Sequence, residues 1–187
     1  SGGDTELDKS VVEKIGDPLM HLVRNAMDHG LETTAVRIAK GKPPVGRVAL
    51  NAYHDSGSIV IEVGDDGGGL SRDKIRAKAI ERGLISASQT LSDDEIRNLI
   101  FEPGFSTAEK VTNLSGRGVG MDVVRRNIQA LRGTVEVEST EGVGSRFIIR
   151  LPLTLAIIDG FLVGVDKSAY VIPLEMVVEC LELGETT

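Results

Sequence analysis

The chain has 187 residues, 41% of them hydrophobic, and a formal net charge of −7. This is enough for one packed domain with a small appendage, and too apolar for a disordered chain. The acidic balance excludes a general nucleic-acid surface, which needs clustered Lys and Arg; local amides and a metal ion still suffice to hold one nucleotide. The longest apolar run, near Leu151 to Ile158, is too short to span a bilayer, so direct membrane insertion is not expected. No basic-then-apolar leader opens the chain, and its one cysteine, Cys180, has no internal disulfide partner, so a reducing cytoplasm is expected.

In chain order, Ser10 and Glu13 have capping-box spacing for a short helix from Val11 to Ile15, which Gly16 is expected to break. Asp17 and Pro18 then suit the cap and first position of a second helix running to about His29 and stopping at Gly30. Leu19, Leu22, Val23 and Ala26 form its apolar face; His21, Asn25, Asp28 and His29 gather on another. A helix follows over Glu32 to Ala39, ended by Gly41 and Pro43. Strands at Arg47–Tyr53 and Ser58–Val63 flank a hairpin signal, Asp55-Ser56-Gly57. Helices are predicted over Arg72–Arg82 and Asp93–Ile100, the latter with Ser92 and Glu95 as a capping box. Residues 102–119 have weak periodicity, a long loop of the kind that is usually functional or disordered. Met121–Leu131 returns to helix, and Thr134–Ser139 and Arg146–Leu151 form a second hairpin. After Pro152 the character changes: Ile157–Val165, Ala169–Ile172 and Val177–Leu181 suggest strands in a tail too short to bury its own core.

Four patches carry possible chemistry. The face around His21, Asn25 and His29 offers a neutral amide carbonyl suited to Mg²⁺, or else is an ordinary solvated face. Asp65-Asp66-Gly67-Gly68-Gly69 follows an apolar strand; a carboxylate there suits an exocyclic amino donor and the glycines admit a flat ring, although Asp-Gly turns commonly leave strands. Gly116-Arg117-Gly118-Val119-Gly120 precedes a helix, where exposed amides suit phosphate, or where the run acts as a hinge. It follows no strand, which counts against a dinucleotide-binding βαβ fold. Gly142-Val143-Gly144-Ser145 alone is a glycine turn.

The order of these patches resembles the Bergerat ATP-binding fold shared by histidine kinases, Hsp90, type II topoisomerases and MutL. His21–His29 is similar to its N box, Asp65–Gly69 to its first glycine box, Phe101–Thr107 to its F box, and Gly116–Gly120 and Gly142–Ser145 to its second and third glycine boxes. The strings LVRNAMDHG, FEPGFST, GRGVGMDVVRRNI and LPLTLAIIDG look like the catalytic domain of the CheA family of chemotaxis histidine kinases. The resemblance implies an α+β, two-layer sandwich: a mixed, mainly antiparallel sheet with helices on one face. It places the catalytic ATP-binding domain at 1–153 and the truncated start of a CheW-like regulatory domain at 154–187.

Carried over by residue, the resemblance implies that Asn25 coordinates the Mg²⁺ of bound ATP and that His21 lies near the metal and γ-phosphate, where related ATPases often have Glu. His29 and Lys74, and less directly Lys78, would approach the phosphates. Asp65 would hold the adenine amino group, with Gly67 and Gly69 shaping the pocket and Ser145 reaching its adenine side. Ser106 and Thr107 would belong to a mobile lid, and Gly116, Arg117, Gly118, Val119, Gly120 and Met121 would close over the phosphates. Two departures from the family pattern are Gly64, where an acid is frequent, and Gly68, where a larger side chain is frequent.

The implied reaction transfers the γ-phosphoryl group of ATP to a histidine on a separate phosphotransfer domain. Such chemistry asks the protein mainly for positioning and charge neutralisation, and a neutral imidazole acceptor needs no strong base. The implied partners are that phosphotransfer domain and, through the full-length kinase, a CheW-type coupling protein and the chemoreceptor array. With no dimerisation hairpin in the sequence, a monomer is expected. The competing readings are an ATPase of the Hsp90 or MutL type, disfavoured by His21 in place of Glu, and a non-catalytic interaction module, disfavoured by the intact Asn25, Asp65 and glycine boxes.

Overall fold

The computed structural model describes residues 15–106 and 120–152, and the backbone of 170–173. The first helix, α1, is regular over residues 15–25 and closes in a π-helical turn, Ala26–Gly30. The break expected at Gly16 is absent: residues 15–20 are continuous helix. Ile15, Leu19 and Leu22 recur at helical spacing and pack in the core, Ile15 only 1% exposed. Their burial offsets the roughly 1 kcal/mol that an interior glycine costs a helix. The rest of the short helix expected from Val11 lies outside the described residues. At the far end the Leu31 N–H donates to the Ala26 carbonyl over 2.9 Å, five residues back, which widens the last turn and presents the Gly30 carbonyl outward.

Helix α2 (Thr34–Ala39) starts on Thr33, whose hydroxyl accepts from the Val36 N–H. Strands β1 (Val48–Asp55) and β2 (Ser58–Asp65) form the expected hairpin. Ser56 and Gly57 both have positive φ, 45° and 81°, as a two-residue turn of the twist-matched kind requires. Helix α3 (Arg72–Glu81) is capped by Ser71, and α4 (Asp93–Asn98) by Ser92 before it tightens into a 3₁₀ turn, Leu99–Phe101. At the predicted capping box the Glu95 N–H donates to Ser92 Oγ, and that hydroxyl in turn donates to Glu95 Oε1. Helix α5 (Met121–Ala130) leads into the hairpin of β3 (Thr134–Thr140) and β4 (Gly144–Pro152).

The sheet order is β3-β4-β2-β1-β5, where β5 is Tyr170–Pro173, and every ladder among the described residues is antiparallel. β5 thus adds to the edge of β1 from within the tail that the sequence reading sets apart. The other strands expected in that tail lie outside the described residues. Alternate residues of the strands, Ile59, Ile61 and Val63 of β2 and Ile149 and Leu151 of β4, face the helices and share one core with Leu22, Ile75, Ala79, Ile96, Val124 and Ile128. This is the expected α+β sandwich with helices on one face, except that among the described residues the sheet is wholly antiparallel rather than mixed. Phe101 meets Phe147 edge-on at 6.3 Å, which pins the start of the loop after α4 to the sheet.

Candidate functional site

The C-terminal end of α1 links two groups of the sequence-predicted residues. The first lies at its π turn. β2 ends in Asp65, whose Oδ1 accepts from the Gly67 N–H at 2.9 Å, so the chain turns sharply. The turn is pressed onto α1: the Gly68 N–H donates to the Gly30 carbonyl at 2.9 Å. Asp65 Oδ2 lies 3.0 Å from where a Cβ on Gly30 would stand. Gly67 and Gly69 are required by close approach. A Cβ on Gly67 would fall 1.9 Å from the Gly30 oxygen, and one on Gly69, at φ 71°, would fall 2.4 Å from the Thr140 oxygen.

The β3–β4 hairpin closes this pole. Ser145 is the register partner of Asp65, its hydroxyl lies 3.0 Å from that of Ser139, and Ser139 Oγ accepts from the Leu70 N–H at 2.7 Å. Burial pushes the Asp65 carboxyl above its ordinary pKa, and the Asp66 charge adds to that. The Gly67 and Ser145 amides, and the Lys42 ammonium, pull the other way.

The second pole is one turn back along α1. The Asn25 Nδ2–H donates to Met121 Sδ at 3.3 Å, across 96 residues of sequence. This joins α1 to the first residue of α5. Gly120 precedes it, and a Cβ there would fall 2.1 Å from Ser106 Oγ, so Ser106, Gly120 and Asn25 gather at the start of α5. Lys78 of α3 lies with Nζ 4.8 Å from the centre of the Phe105 ring, beside Ser106. His21, one turn before Asn25, is half-buried; burial first, then the Arg24 and His29 charges, holds its pKa below the usual imidazole value. His29 is exposed on the π turn, between the poles in sequence.

Lys74 is exposed in the first turn of α3, and among the described residues no hydrogen bond or ion pair joins its side chain to either pole. Thr107, Gly116, Arg117, Gly118 and Val119 lie outside the described residues, as does most of the expected lid. Gly64 and Gly68 have space around them: the nearest atoms to a Cβ would be 3.9 Å (Ser145 O) and 3.8 Å (Glu32 Cγ) away. Among the described residues, no group of three or more His, Cys, Asp or Glu could hold a metal. Any metal here would have to be carried mainly by phosphate and water, as Mg²⁺ often is; the expected metal contacts, Asn25 and His21, lie one helical turn apart on α1.

The structure also shows residues that the sequence reading did not single out, Glu32, Arg37 and Lys42, and gives Asp66 a role beside them. Arg37 is 1% exposed and reaches Asp66 with both arms of its guanidinium, Nη1 to the carbonyl and Nη2 to Oδ2, each at 3.0 Å. The only advance signal was a set of charges around a short helix, which reads equally well as a solvated surface.

The chain belongs to the histidine kinase-, DNA gyrase B- and HSP90-like ATPase family, whose model matches residues 14–155. Within it the chain is most usefully compared with chemotaxis kinases. It is 55% identical over 181 residues to the chemotaxis protein CheA of Rhizobium meliloti and 54% identical over 184 residues to CheA of Salmonella typhimurium. It is 51% identical over 186 residues to the sensor histidine kinase CheAY of Helicobacter pylori. These matches cover 97–98% of this chain but only 24%, 27% and 23% of the relatives, so the chain spans about a quarter of their length. The solved catalytic domain of the histidine kinase ThkA aligns at a TM-score of 0.43 and 19% identity, covering 75% of this chain and 66% of that one.

Proposed function

We propose that this chain is the ATP-binding catalytic unit of a chemotaxis histidine kinase, and that it donates the γ-phosphoryl group of Mg-ATP to a histidine on a separate phosphotransfer domain. One observation carries the reading: the two poles lie at successive turns of α1. One pole, Asp65, Gly67, Gly69 and Ser145, has a carboxylate and close-packed backbone suited to a purine. The other, Asn25 with Ser106, Gly120 and Met121 at the start of α5, is suited to phosphates. Family membership and the names of the relatives support the same assignment.

On this reading Asp65 accepts from the adenine amino group, and Ser145 contributes to that side. His29, Lys74 and Lys78, with the backbone amides of Gly116, Gly118 and Gly120, supply donors to the phosphates, and Ser106 and Thr107 belong to the lid. Mg²⁺ would lower the phosphate charge that repels a nucleophile. Asn25 would turn its carbonyl to the ion, and His21, kept neutral by its surroundings, would lie nearby without drawing a proton from water. The transfer forms an N–P bond at the acceptor imidazole and breaks the bond between the γ-phosphorus and the β–γ bridging oxygen, leaving ADP.

We divide the chain at 153/154, close to the end of the family match at 155, and take 154–187 as the start of a CheW-like regulatory domain whose β5 adds to the edge of β1. A CheW-type coupling protein and chemoreceptors would be reached through the full-length kinase. No helix among the described residues is long and apolar enough to cross a membrane. The reading also takes the fragment as cytoplasmic and monomeric. The test is to mix the chain with γ-labelled ATP, Mg²⁺ and an isolated histidine phosphotransfer domain. Acid-labile label on that domain is expected. Release of inorganic phosphate with none on the domain would favour a family ATPase instead.

A further inference from the structure

Helix α2 buries a single side chain, and it is an arginine. Short helices at a domain surface usually dock by apolar residues, yet Val36 and Ile38 are exposed here, at 41% and 59%. A guanidinium withdrawn from water needs its donors filled. Arg37 fills them around one feature. Nε donates to the Pro43 carbonyl at 2.7 Å, Nη1 to the Asp66 carbonyl at 3.0 Å and to Glu32 Oε1 at 3.5 Å, and Nη2 to Asp66 Oδ2 at 3.0 Å. Asp66 Oδ1 accepts from the Arg47 N–H at 2.7 Å.

Lys42, just after α2, works on the same turn. Its ammonium donates to the Gly67 carbonyl at 2.8 Å, to the Asp66 carbonyl at 3.2 Å and to Glu32 Oε1 at 2.8 Å. Lys40 pairs with the other Glu32 oxygen at 3.2 Å. Glu32 is 9% exposed and serves as the hub. The Lys42 hydrogen bond, with Lys40 behind it, holds the Glu32 carboxyl below its usual range despite burial.

Besides the Pro43 carbonyl, the carbonyls gripped by Arg37 and Lys42 belong to the two residues directly after Asp65. On the opposite side the same turn is gripped by the Gly30 carbonyl through the Gly68 N–H. We propose that Arg37 and Lys42 are positioning residues that clamp the Asp65–Gly67 turn against α1 and thereby set recognition of the nucleotide base. The clamp reaches the base only through Asp65. It also neutralises Asp66, the charge adjacent to Asp65. This rests on the nucleotide reading above. Lysine is a poor substitute for Arg37, since it cannot reach Pro43, Glu32 and both Asp66 oxygens from one planar fork.

The experiment compares ATP with purine riboside 5′-triphosphate, which lacks the 6-amino group, by calorimetry on the parent chain, Arg37→Met and Lys42→Met. Folding of each variant is checked by circular dichroism and melting. The parent should prefer ATP, and Arg37→Met should erode that preference about tenfold, the order expected for loss of charged hydrogen bonds. Lys42→Met should shift it in the same direction, with affinity for the analogue unchanged in both. A retained ATP preference in the folded variants overturns the proposal, as does an equal loss for both ligands, which would mark a general structural role. If Arg37→Met does not fold, Lys42→Met, whose side chain is 17% exposed, decides alone by the same criterion. A parent that shows no preference overturns the nucleotide reading itself, and is seen before any variant is made.

Discussion

Gly67 and Gly30 meet backbone to backbone: a Cβ at Gly67 would stand 1.9 Å from the Gly30 oxygen and 2.4 Å from its carbonyl carbon. No side chain yields at that contact, because both partners are main chain. Gly67→Ala must therefore push the Asp65 turn off α1. We predict a loss of about 1–3 kcal/mol in urea denaturation, as for other overpacked sites, together with loss of ATP binding.

Gly64 and Gly68 behave in the opposite way. Neither is among the positive-φ glycines, and each has only ordinary contacts around a Cβ position. Gly64→Ala and Gly68→Ala should each raise stability by about 0.5 kcal/mol, through a less flexible unfolded chain. Measured losses above about 1 kcal/mol in the same denaturation assay would show that one of them is held in a strained position.

Asp65 separates stability from function. Its folded-state pKa is raised, by burial first, so the folded protein holds a proton more readily than the unfolded chain. Its contribution to stability is full below the ordinary carboxyl value and declines as pH rises through the raised one. Asp65→Asn removes that decline. The ligand-free variant should melt higher than the parent at pH 7, and the difference should shrink as pH is lowered toward the unfolded carboxyl value. An Asp65→Asn melting point below the parent's at pH 7 would contradict the assignment.

Asn25 gives a test of the phosphate pole. Its Nδ2 is turned to Met121 Sδ, which directs the amide's other end elsewhere. Asn25→Ala should abolish the strengthening of ATP binding by Mg²⁺ while leaving the Mg²⁺-free affinity nearly unchanged. Calorimetry with and without Mg²⁺ measures both quantities.

Local patterns made most of the fold legible before the structure. The α4 cap, the Ser56-Gly57 turn and the two hairpins follow from propensity and spacing over a few residues. Gly16 was misread because its local preference is outweighed by Ile15, whose burial is decided by distant strands. Asn25, Asp65, Gly67 and Ser145 stand out through the order of their motifs, which resembles that of a known fold; each motif alone also reads as a solvated face or a common turn. Arg37 did not: within Thr34–Ala39 it has the look of a solvated helix residue, and only the packing of α2 on the Asp66 turn shows that its guanidinium is buried. The same limit applied to Glu32 and Lys42, whose meaning lies in partners up to 25 residues away.

The most direct test is a calorimetric titration of the chain with ATP, with and without Mg²⁺, beside Asp65→Asn. Saturable binding, strengthened by Mg²⁺ and lost in Asp65→Asn, is the predicted result. No binding by the parent, or equal binding by Asp65→Asn, would contradict the placement of the base at the Asp65 turn.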